Sequence, residues 1–315
     1  MMRETVTLGK SDLVVSALGV GTWQWGDATI WGFGAGYGRA DVQAAYAASR
    51  AAGLTFYDTA EIYGSGTSET ILGDLVRQEA GSVIVATKFA PLGRLSAAAL
   101  AGALRASLTR LGLPRIDLYQ VHWPYGFIRI EALMHAMADQ VEAGHVRAVG
   151  VSNFSAPQLR RAHAALARRG IPLATNQVHY SLLHRHPERN GVLAACRELD
   201  VRLIAYSPLE QGLLTGKYHT ANAPRVSALR QLSSLRGAKV KASAPLIAAL
   251  QRIGQSHDDR TPAQVALRWL IQQGALPIPG AKSAAQATAN AGALGWELSE
   301  LECEELSKIS AAPGR

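Results

Sequence analysis

The chain has 315 residues, 48% of them hydrophobic and 18% charged, and its formal net charge at pH 7 is +8. This length and composition support a large buried core, and α/β barrels often use such a length for a single domain. No run approaches the roughly 18 uncharged apolar residues that a transmembrane helix needs, so we expect no membrane-spanning segment.

The predicted elements follow one repeated pattern along the chain. An opening segment of alternating polar and apolar residues, Thr5 to Val15, predicts a short β-hairpin. After it, an apolar β-like run followed by an amphipathic helix-like stretch occurs eight times. The predicted strands are 16–21, 54–58, 83–89, 116–122, 146–153, 173–179, 201–208 and 275–280.

Helices are predicted between these strands, and Thr261 and Pro262 fit the cap and first position of one of them. The predicted helices are 41–52, 68–79, 96–111, 129–142, 156–168, 188–199 and 261–273, and a last one begins near Ser283. Nearly apolar strands that alternate with helices are typical of parallel strands buried on both faces. Eight units of even size favour a closed (β/α)8 TIM barrel over an open sheet. No linker divides the chain, so we predict one domain over 1–315.

Two predicted connections are longer than the others. Residues 22–40 follow the first barrel strand and are rich in glycine and tryptophan, and residues 209–242 follow the seventh and carry several basic residues. Long connections in a compact domain are usually functional or disordered. Both follow strand ends, so both are expected on the face where barrels of this type keep their chemistry.

Cysteine usage and the chain start indicate a compartment. Cys196 and Cys303 have neither a metal-type spacing nor a nearby cysteine partner, which predicts reduced thiols and no bound metal. The start, MMRETVTLGK, has no apolar stretch behind a basic one, so no secretory signal is expected. We predict a cytoplasmic location, and a plastid location after removal of a transit peptide stays open.

The positive charge has two interpretations. Basic chains attract nucleic acids, acidic membranes or phosphate-bearing ligands. The arginines are scattered through helix-like segments, as at Arg160, Arg161, Arg168 and Arg169, and no nucleic-acid motif accompanies them. A solvated surface therefore explains the charge better than a nucleic-acid interface.

Polar side chains are predicted at the ends of three neighbouring strands. Asp58 ends the second strand and Tyr63 follows in the next turn, Lys88 lies near the end of the third strand, and His122 ends the fourth. Singly, these residues have structural interpretations: a turn carboxylate, a loop aromatic, an ion-pair lysine and a core histidine. Together they predict an active site, because buried charges are avoided unless they are paired.

These four residue types can protonate an alkoxide as it forms. A tyrosine titrates near ~10 in isolation, and a neighbouring ammonium lowers that pKa, so we expect Lys88 to lower the pKa of Tyr63. Asp58 would pair with Lys88, and His122 would donate a hydrogen bond to a carbonyl oxygen. The set lacks an electron source, so a cofactor must bring the reducing equivalent.

A dinucleotide cofactor would need a phosphate site. No G-x-G-x-x-G run opens a helix with an acidic residue about 20 positions on, so a Rossmann site is not expected. The stretch 278–290 is the alternative, since Gly280 ends a strand, Lys282 adds charge and a helix begins near Ser283. An ordinary helix start is the competing interpretation of this stretch.

Further polar residues at strand ends suit the rest of such a cofactor. Tyr206 can stack on a nicotinamide ring, and Asn153 and Gln177 can pair with a carboxamide. Phosphate oxygens can be bound from the loop that begins at 207. The predicted ligands there are Ser207, Gln211 and Lys217.

The motifs resemble those of the aldo-keto reductases over essentially the whole chain. The matching stretches are FYDTAEIYG, ATKF, QVHWP, GVSNF, NQVHYS, AYSPL, GLLTGKY and IPGAKS, in family order. The resemblance implies a (β/α)8 barrel, NADP(H) bound without a Rossmann fold, and reversible reduction of aldehydes and ketones. It implies that Asp58, Tyr63, Lys88 and His122 form a catalytic tetrad in which Tyr63 is the acid.

The resemblance also implies a set of cofactor contacts. Ser152, Asn153 and Gln177 would hold the carboxamide, with Tyr206 under the ring. The other implied or predicted contacts are Thr22, Trp23, Asp58, Ser207, Leu209, Gln211, Gly212, Lys217, Gly280, Lys282, Ser283, Gln286 and Asn290.

The last motif departs from the family pattern at three positions. Ala289 stands where members usually have Glu, Gly280 where some have Lys, and Gln286 where some have Arg. An adenine contact is then missing, and recognition of a 2′-phosphate, which separates NADP from NAD, would depend on Lys282 and Ser283.

The expected substrate is a small-molecule carbonyl compound. Trp23, Trp31, Trp123 and Tyr125 would give an aromatic wall, which favours planar substrates. The chain looks closer to plant and cyanobacterial members and to potassium-channel β subunits than to aldose reductase. Pyridoxal reduction, known among such relatives, is therefore one expected activity, and a cofactor-sensing regulatory subunit with little turnover is the alternative. We expect a monomer or weak homo-oligomer.

Overall fold

A two-stranded hairpin precedes one sheet of eight parallel strands in the computed structural model, which describes residues 4–79, 82–220 and 237–311. Within the sheet the strands lie side by side in chain order. The strands are β1 (Thr5–Thr7), β2 (Val14–Ser16), β3 (Val20–Gly21), β4 (Phe56–Asp58), β5 (Ile84–Phe89), β6 (Ile116–Val121), β7 (Val146–Ser152), β8 (Leu173–His179), β9 (Arg202–Tyr206) and β10 (Leu276–Pro277).

Helices connect successive strands, as parallel pairing requires. They are α1 (Ala28–Trp31), α2 (Arg39–Ala51), α3 (Thr67–Val76), α4 (Ala99–Leu111), α5 (Ile130–Glu142), α6 (Ala156–Ala167), α7 (His186–Arg189), α8 (Val192–Glu198), α9 (Gly237–Gln255), α10 (Pro262–Gln272), α11 (Ala284–Ala291) and α12 (Glu300–Ser310). Thr261 caps α10 and Pro262 is its first residue, as predicted.

The first and last strands of the sheet meet and close it. The Gly19 amide donates to the Pro277 carbonyl at 3.0 Å, the Gly21 amide donates to the Pro279 carbonyl at 3.2 Å, and Gly21 bridges to Gly280. Closure removes the sheet edges, and with helices between all strands it confirms the predicted (β/α)8 barrel.

The barrel interior is apolar at the amino-terminal end of the strands and polar at their carboxyl end. Inward residues such as Phe56, Ala86 and Leu118 form one buried cluster with leucines of the hairpin, which covers the amino-terminal end of the barrel. Successive side chains on a strand alternate between faces, so Asp58 and Lys88 lie two positions further along on the same inward side. The site is therefore built directly on top of the interior core.

Several predicted boundaries are wrong. The first and last barrel strands are shorter than 16–21 and 275–280, and around β10 Pro277 and Pro279 have no amide hydrogen to donate to a ladder. The predicted helix 188–199 is split, because Gly191 takes a left-handed conformation (φ 79°) between α7 and α8.

The predicted long connection 209–242 is only partly a loop. It contains short 3-10 helices at Glu210–Thr215 and Lys217–His219, and α9 begins at Gly237. Residues 221–236 lie outside the described residues. The connection 22–40 holds the one-turn helix α1 and reaches the start of α2, and the carboxy-terminal helix α12 was not predicted.

Many of the scattered arginines form ion pairs between neighbouring helices. Arg160 pairs with Glu198 and Arg161 with Glu131, while Arg169 pairs with carboxylates of α5. This agrees with the solvated-surface interpretation of the charge. Across the three described ranges, no helix is both long and apolar enough to cross a membrane.

Replacing either of two glycines on adjacent helices by alanine should change the free energy of unfolding, in opposite directions for the two positions. A Cβ on Gly73 would lie 2.3 Å from the Leu111 carbonyl oxygen, so Gly73→Ala must separate α3 from α4 and should lower the free energy of unfolding by about 1 to 3 kcal/mol. A Cβ on Gly102 would meet only Arg105 Nη2, at 3.9 Å. Gly102→Ala should therefore raise stability by about 0.5 to 1 kcal/mol. Urea unfolding measures both, and equal effects would contradict the packing argument.

Candidate active site

Four polar side chains meet at the carboxyl end of the barrel: one from β4, one from the turn after β4, one from β5 and one from the residue that follows β6. The Lys88 ammonium donates to Asp58 Oδ1 at 2.5 Å and to the Tyr63 hydroxyl at 3.3 Å. The ring of His122 lies edge-on to the ring of Tyr63, with centroids 5.8 Å apart. Lys88 and Asp58 are almost completely buried, with side-chain exposures of 0% and 2%. The structure thus brings together the four residues that the strand ends suggested.

Backbone geometry sets the position of Tyr63. The residue opens a 3-10 turn in which Gly64 and Ser65 both have a φ of 54°, in the left-handed region. A Cβ on Gly64 would lie 2.6 Å from the Gly26 carbonyl oxygen, so only glycine fits where the connection after β3 packs on this turn. The strained turn is therefore supported by a neighbouring loop, as strain at a site requires.

Glu61 and Arg94 fasten the Tyr63 turn to the end of β5. Glu61 Oε1 accepts from the Ala90 amide at 2.6 Å and from Arg94 Nη1 at 2.5 Å, and Oε2 accepts from Arg94 Nη2 at 2.9 Å. Such a two-pronged carboxylate–guanidinium contact fixes orientation as well as distance. Ala90 is two residues after Lys88, so the pair holds the turn beside the strand that carries Lys88. Sequence reasoning missed both residues.

Asp58 is held by two amides in addition to Lys88. Its Oδ2 accepts from Gln120 Nε2 at 3.0 Å and from Gln177 Nε2 at 2.8 Å. Gln177, expected as a carboxamide ligand, is thus placed with its amide group on Asp58. Gln120 was missed, although its position two residues before His122 puts it on the same side of β6.

The pKa directions follow from burial and from these contacts. Burial lowers the pKa of Lys88, but Asp58 and Tyr63 raise it more, and the net pKa lies above 10.5. Burial raises the pKa of Tyr63, and the lowering by Lys88 does not offset it, so the net direction is upward. Lys88 therefore lowers the pKa of Tyr63 as expected, but burial has the larger effect. The ammonium's charge is largely compensated by Asp58, whereas the phenolate would lose its hydration.

His122 is neutral over the ordinary pH range. Burial and the charge of Lys88 lower its pKa to about 2. Its ring stacks on Trp123 with centroids 3.6 Å apart, and Nδ1 is buried without a hydrogen-bond partner among the described residues. A neutral imidazole donates from one nitrogen only, so this residue can donate one hydrogen bond and cannot supply a positive charge.

The predicted carboxamide residues form a network across the ends of β7, β8 and β9. Asn153, at a φ of 62°, donates through Nδ2 to the His122 carbonyl and to Ser152 Oγ, each at 3.1 Å. Its Oδ1 accepts from the Tyr206 hydroxyl at 3.1 Å, and Ser152 Oγ donates to the Gln177 carbonyl at 2.8 Å. Asn153 and Tyr206 are therefore fixed relative to each other and to His122.

The loop after β9 concentrates left-handed backbone conformations. Ser207, Glu210, Gln211 and Gly212 have φ values of 50°, 48°, 54° and 96°. Successive residues of this kind turn backbone amides toward a common concavity that can bind an anion. A Cβ on Gly212 would lie 3.1 Å from Lys217 Nζ, which places that ammonium over the same loop.

A buried carboxylate anchors this loop. Glu210 is 3% exposed and contacts His179 Nε2 at 2.5 Å, Ser181 Oγ at 2.8 Å and Lys239 Nζ at 3.0 Å. These contacts outweigh the effect of burial and lower the pKa of Glu210 to about 2. The carbonyl of Leu209 accepts from the Gly212 amide at 2.9 Å within the turn. Sequence reasoning missed Glu210.

In the last motif, most polar side chains serve the start of α11. Ser283 caps the helix by accepting from the Gln286 amide at 3.4 Å. Gln286 Oε1 accepts from the Lys282 amide at 2.8 Å, and Asn290 Nδ2 donates to the Gly280 carbonyl at 3.4 Å. The Lys282 ammonium lies to one side of this cap, over aromatic rings of the connection after β3.

That connection packs directly against the last motif. A Cβ on Gly280 would lie 2.0 Å from Gln24 Oε1, so the Gln24 side chain is one reason why position 280 is occupied by glycine. Trp25 Nε1 donates to the Ala281 carbonyl at 2.9 Å. Gln24 Oε1 is buried and accepts no hydrogen bond from the described residues. An unsatisfied acceptor beside Gly280 fits a ligand that brings a donor there.

Aromatic side chains border the tetrad. Trp23 lies 6.1 Å from the Tyr63 ring and 5.4 Å from the Trp31 ring between centroids, while Tyr125 is 58% exposed at the rim. Thr22, expected to contact a cofactor, is fully buried, and its hydroxyl donates to the Asp58 carbonyl at 3.0 Å.

The profile of the Aldo/keto reductase family matches residues 17–311 of the sequence. The chain belongs to the aldo/keto reductase family. It is 38% identical to the chloroplastic pyridoxal reductase of Arabidopsis thaliana, over 95% of this chain and 85% of the relative. It is 42% identical to an uncharacterized oxidoreductase of Mycobacterium tuberculosis, over 95% and 90% of the two chains.

Solved structures share the fold. An aldo-keto reductase from Klebsiella pneumoniae in complex with NADPH superposes with a TM-score of 0.77 at 30% identity, over all of this chain and 98% of that one. A glycerol dehydrogenase from Gluconobacter oxydans superposes with a TM-score of 0.83 at 24% identity, over 98% and 95% of the two chains. The family resemblance inferred from the motifs is confirmed.

Removing one member of the buried ion pair should cost more than removing both charges. Asp58→Asn leaves the Lys88 ammonium buried without a counter-charge and should lower the free energy of unfolding by about 3 to 5 kcal/mol. The double variant Asp58→Asn with Lys88→Met should be more stable than Asp58→Asn alone. Urea unfolding checks this order, and the reverse order would show that the pair is not electrostatically coupled.

The same pair predicts a pH dependence. A group whose folded pKa is raised adds stability that is fully present below its unfolded pKa, 10.5 for Lys88, and is lost as the pH rises through the folded value. The Lys88→Met variant should lack this alkaline loss of stability when unfolding is measured as the pH is raised from about 10 to about 12. An identical pH dependence in both proteins would contradict the assignment.

Proposed function

We propose that the protein is an NADP-dependent carbonyl reductase that converts aldehydes or ketones to alcohols reversibly. The observation that carries this proposal is the Tyr63 hydroxyl, which accepts a hydrogen bond from a buried ammonium at 3.3 Å beside a neutral imidazole. A proton donor and a separate hydrogen-bond donor aimed at one small region suit a reacting carbonyl oxygen. Membership of the aldo/keto reductase family supports the same reaction class.

Each of the four residues has a distinct task in this proposal. Tyr63 gives its proton to the carbonyl oxygen as negative charge develops there, and Lys88 stabilises the phenolate that remains. Asp58 holds Lys88 charged and aimed, and His122, being neutral, orients the oxygen by one hydrogen bond without protonating it. NADPH, when bound, would supply the hydride to the carbonyl carbon.

The described residues fit such a cofactor at three places. The loop from Ser207 to Gly212, which has left-handed backbone at four of its six residues, curves in a way that suits a pyrophosphate, and the Lys217 ammonium lies over it. Asn153 and Tyr206 lie near His122 and would contact the nicotinamide end of the cofactor. Lys282 supplies a cation for a 2′-phosphate. The Klebsiella pneumoniae structure, a relative at 30% identity, contains NADPH, which supports NADP as the cofactor.

We further propose planar aromatic aldehydes, pyridoxal among them, as the substrate class. Trp23 lies beside the Tyr63 ring and Trp123 stacks on His122, so aromatic side chains border the place where a flat substrate would bind. The Arabidopsis relative is named a pyridoxal reductase, which supports the choice.

Tyr63→Phe tests the proposed acid. This change removes only the hydroxyl, so kcat for reduction of a reactive aldehyde should fall by a factor of about 10² to 10⁴, while NADPH affinity stays within about twofold because Tyr63 is not among the proposed cofactor contacts. Tyr46→Phe, on α2 and outside the site, is the matched control and should keep full turnover. Steady-state kinetics and NADPH titration measure these effects. Unchanged turnover of Tyr63→Phe would refute the role.

Substrate choice is tested by comparing pyridoxal with hexanal. Stacking on the tryptophans should make kcat/KM for pyridoxal higher by about twofold to tenfold, and Trp23→Leu should reduce that ratio. NADPH oxidation followed by the absorbance of the cofactor gives kcat and KM for each aldehyde. Equal kcat/KM for the two aldehydes in the wild type would contradict the proposed substrate class.

A further inference from the structure

The ammonium of Lys282 is held by two aromatic rings from a distant part of the chain. Its Nζ lies 4.3 Å from the centroid of the Tyr37 ring and 5.6 Å from that of the Trp31 ring. Both distances are within the range in which a cation is attracted to a ring face. The rings belong to the connection after β3, whereas Lys282 follows β10.

Several contacts fix these rings relative to Lys282. The Tyr37 hydroxyl donates to the Gln24 carbonyl, and Trp25 Nε1 donates to the Ala281 carbonyl, one residue before Lys282. Trp31 is 9% exposed and ends α1, whose first turn is capped by Asp27. The rings are therefore part of a packed surface.

Lys282 is the single charged residue in the stretch 278–290. The side chain of Gln286 accepts from the Lys282 amide, and Ser283 is used as a helix cap. Selection for a 2′-phosphate at this end of the cofactor thus depends strongly on where one ammonium is placed.

Aromatic rings place an ammonium without neutralising it. A ring face attracts the cation through its quadrupole and leaves the ammonium charged. An ammonium has three donors, so ring contact is compatible with donation to an anion. A lysine side chain also loses conformational entropy when it is ordered, and the rings reduce the part of that loss that occurs on ligand binding.

We propose that Tyr37 and Trp31 form an aromatic cradle that positions Lys282 for the 2′-phosphate, so that these two residues set the preference for NADP over NAD. The proposal rests on the proposed NADP-dependent function and assigns a specificity role to the loop after β3. It applies to the adenosine end of the cofactor, away from the tetrad.

The test uses two nucleotides that differ by one phosphate group, adenosine 2′,5′-bisphosphate and AMP, with binding measured by titration calorimetry on the full chain. Tyr37→Leu should weaken binding of the bisphosphate about fivefold and leave AMP binding within about twofold. Tyr37→Phe keeps the ring but loses the hydrogen bond to Gln24, and it should retain bisphosphate affinity within about twofold. This pair of variants separates the ring contact from loop anchoring.

A double-mutant cycle with Lys282→Met shows whether Tyr37 acts through the ammonium. In the Lys282→Met background, Tyr37→Leu should have no further effect on bisphosphate binding. Equal weakening of both nucleotides by Tyr37→Leu, tighter or unchanged bisphosphate binding, or an undiminished effect in the Lys282→Met background would each overturn the cradle. Thermal unfolding of each variant confirms that the titrated protein is folded.

Failure of the cofactor assignment gives a different result. If the wild type binds the bisphosphate no more tightly than AMP, and Lys282→Met changes neither affinity, this site does not select a 2′-phosphate, and the cradle proposal falls with the cofactor proposal. If the wild type discriminates and Lys282→Met removes the discrimination while Tyr37→Leu does not, only the cradle is wrong.

Discussion

The buried ion pair between Lys88 and Asp58 is the constraint on which the site depends. Moving an ammonium and a carboxylate out of water costs several kcal/mol per ion, and only close pairing with further hydrogen bonds offsets that cost. The amides of Gln120 and Gln177 supply such bonds to Asp58 from β6 and β8. Because those strands lie two and four places from β4 around the sheet, the pair requires the curled barrel. With Asp58 satisfied, the ammonium is left aimed at Tyr63.

Sequence predicted the part of the site that lies on strands. Asp58, Lys88 and His122 stand at or near the ends of apolar runs, and parallel strands present their carboxyl ends at one edge, so their meeting followed from the pattern of strands and helices. Gln120 lies two residues before His122, so the alternation of side chains along a strand places both on the same face. This spacing could have predicted Gln120 as a site residue. The direction in which the Tyr63 pKa shifts could not be predicted from the sequence, because it depends on how completely the folded loops bury the phenol.

The supporting contacts from loops gave no signal in the sequence. Glu61 and Arg94 meet across 33 positions, and Glu210 meets His179 and Lys239 across about 30. Loop residues have no periodicity from which a face can be read, and their backbone angles, such as the left-handed conformation at Glu210, are set by the neighbours that they pack against. These two carboxylates nonetheless fix the turn of the proposed acid and the loop of the proposed phosphate site.

The connection after β3 joins the two ends of the proposed cofactor site. Near its start, Gly26 supports the strained turn behind Tyr63, and further along Tyr37 holds Lys282. Packed protein transmits displacement because it has little free volume. A shift of this loop that follows a phosphate at Lys282 would therefore also reach the backbone that positions the Tyr63 hydroxyl. One loop thus contacts both the turn of the proposed acid and the lysine proposed to select the cofactor.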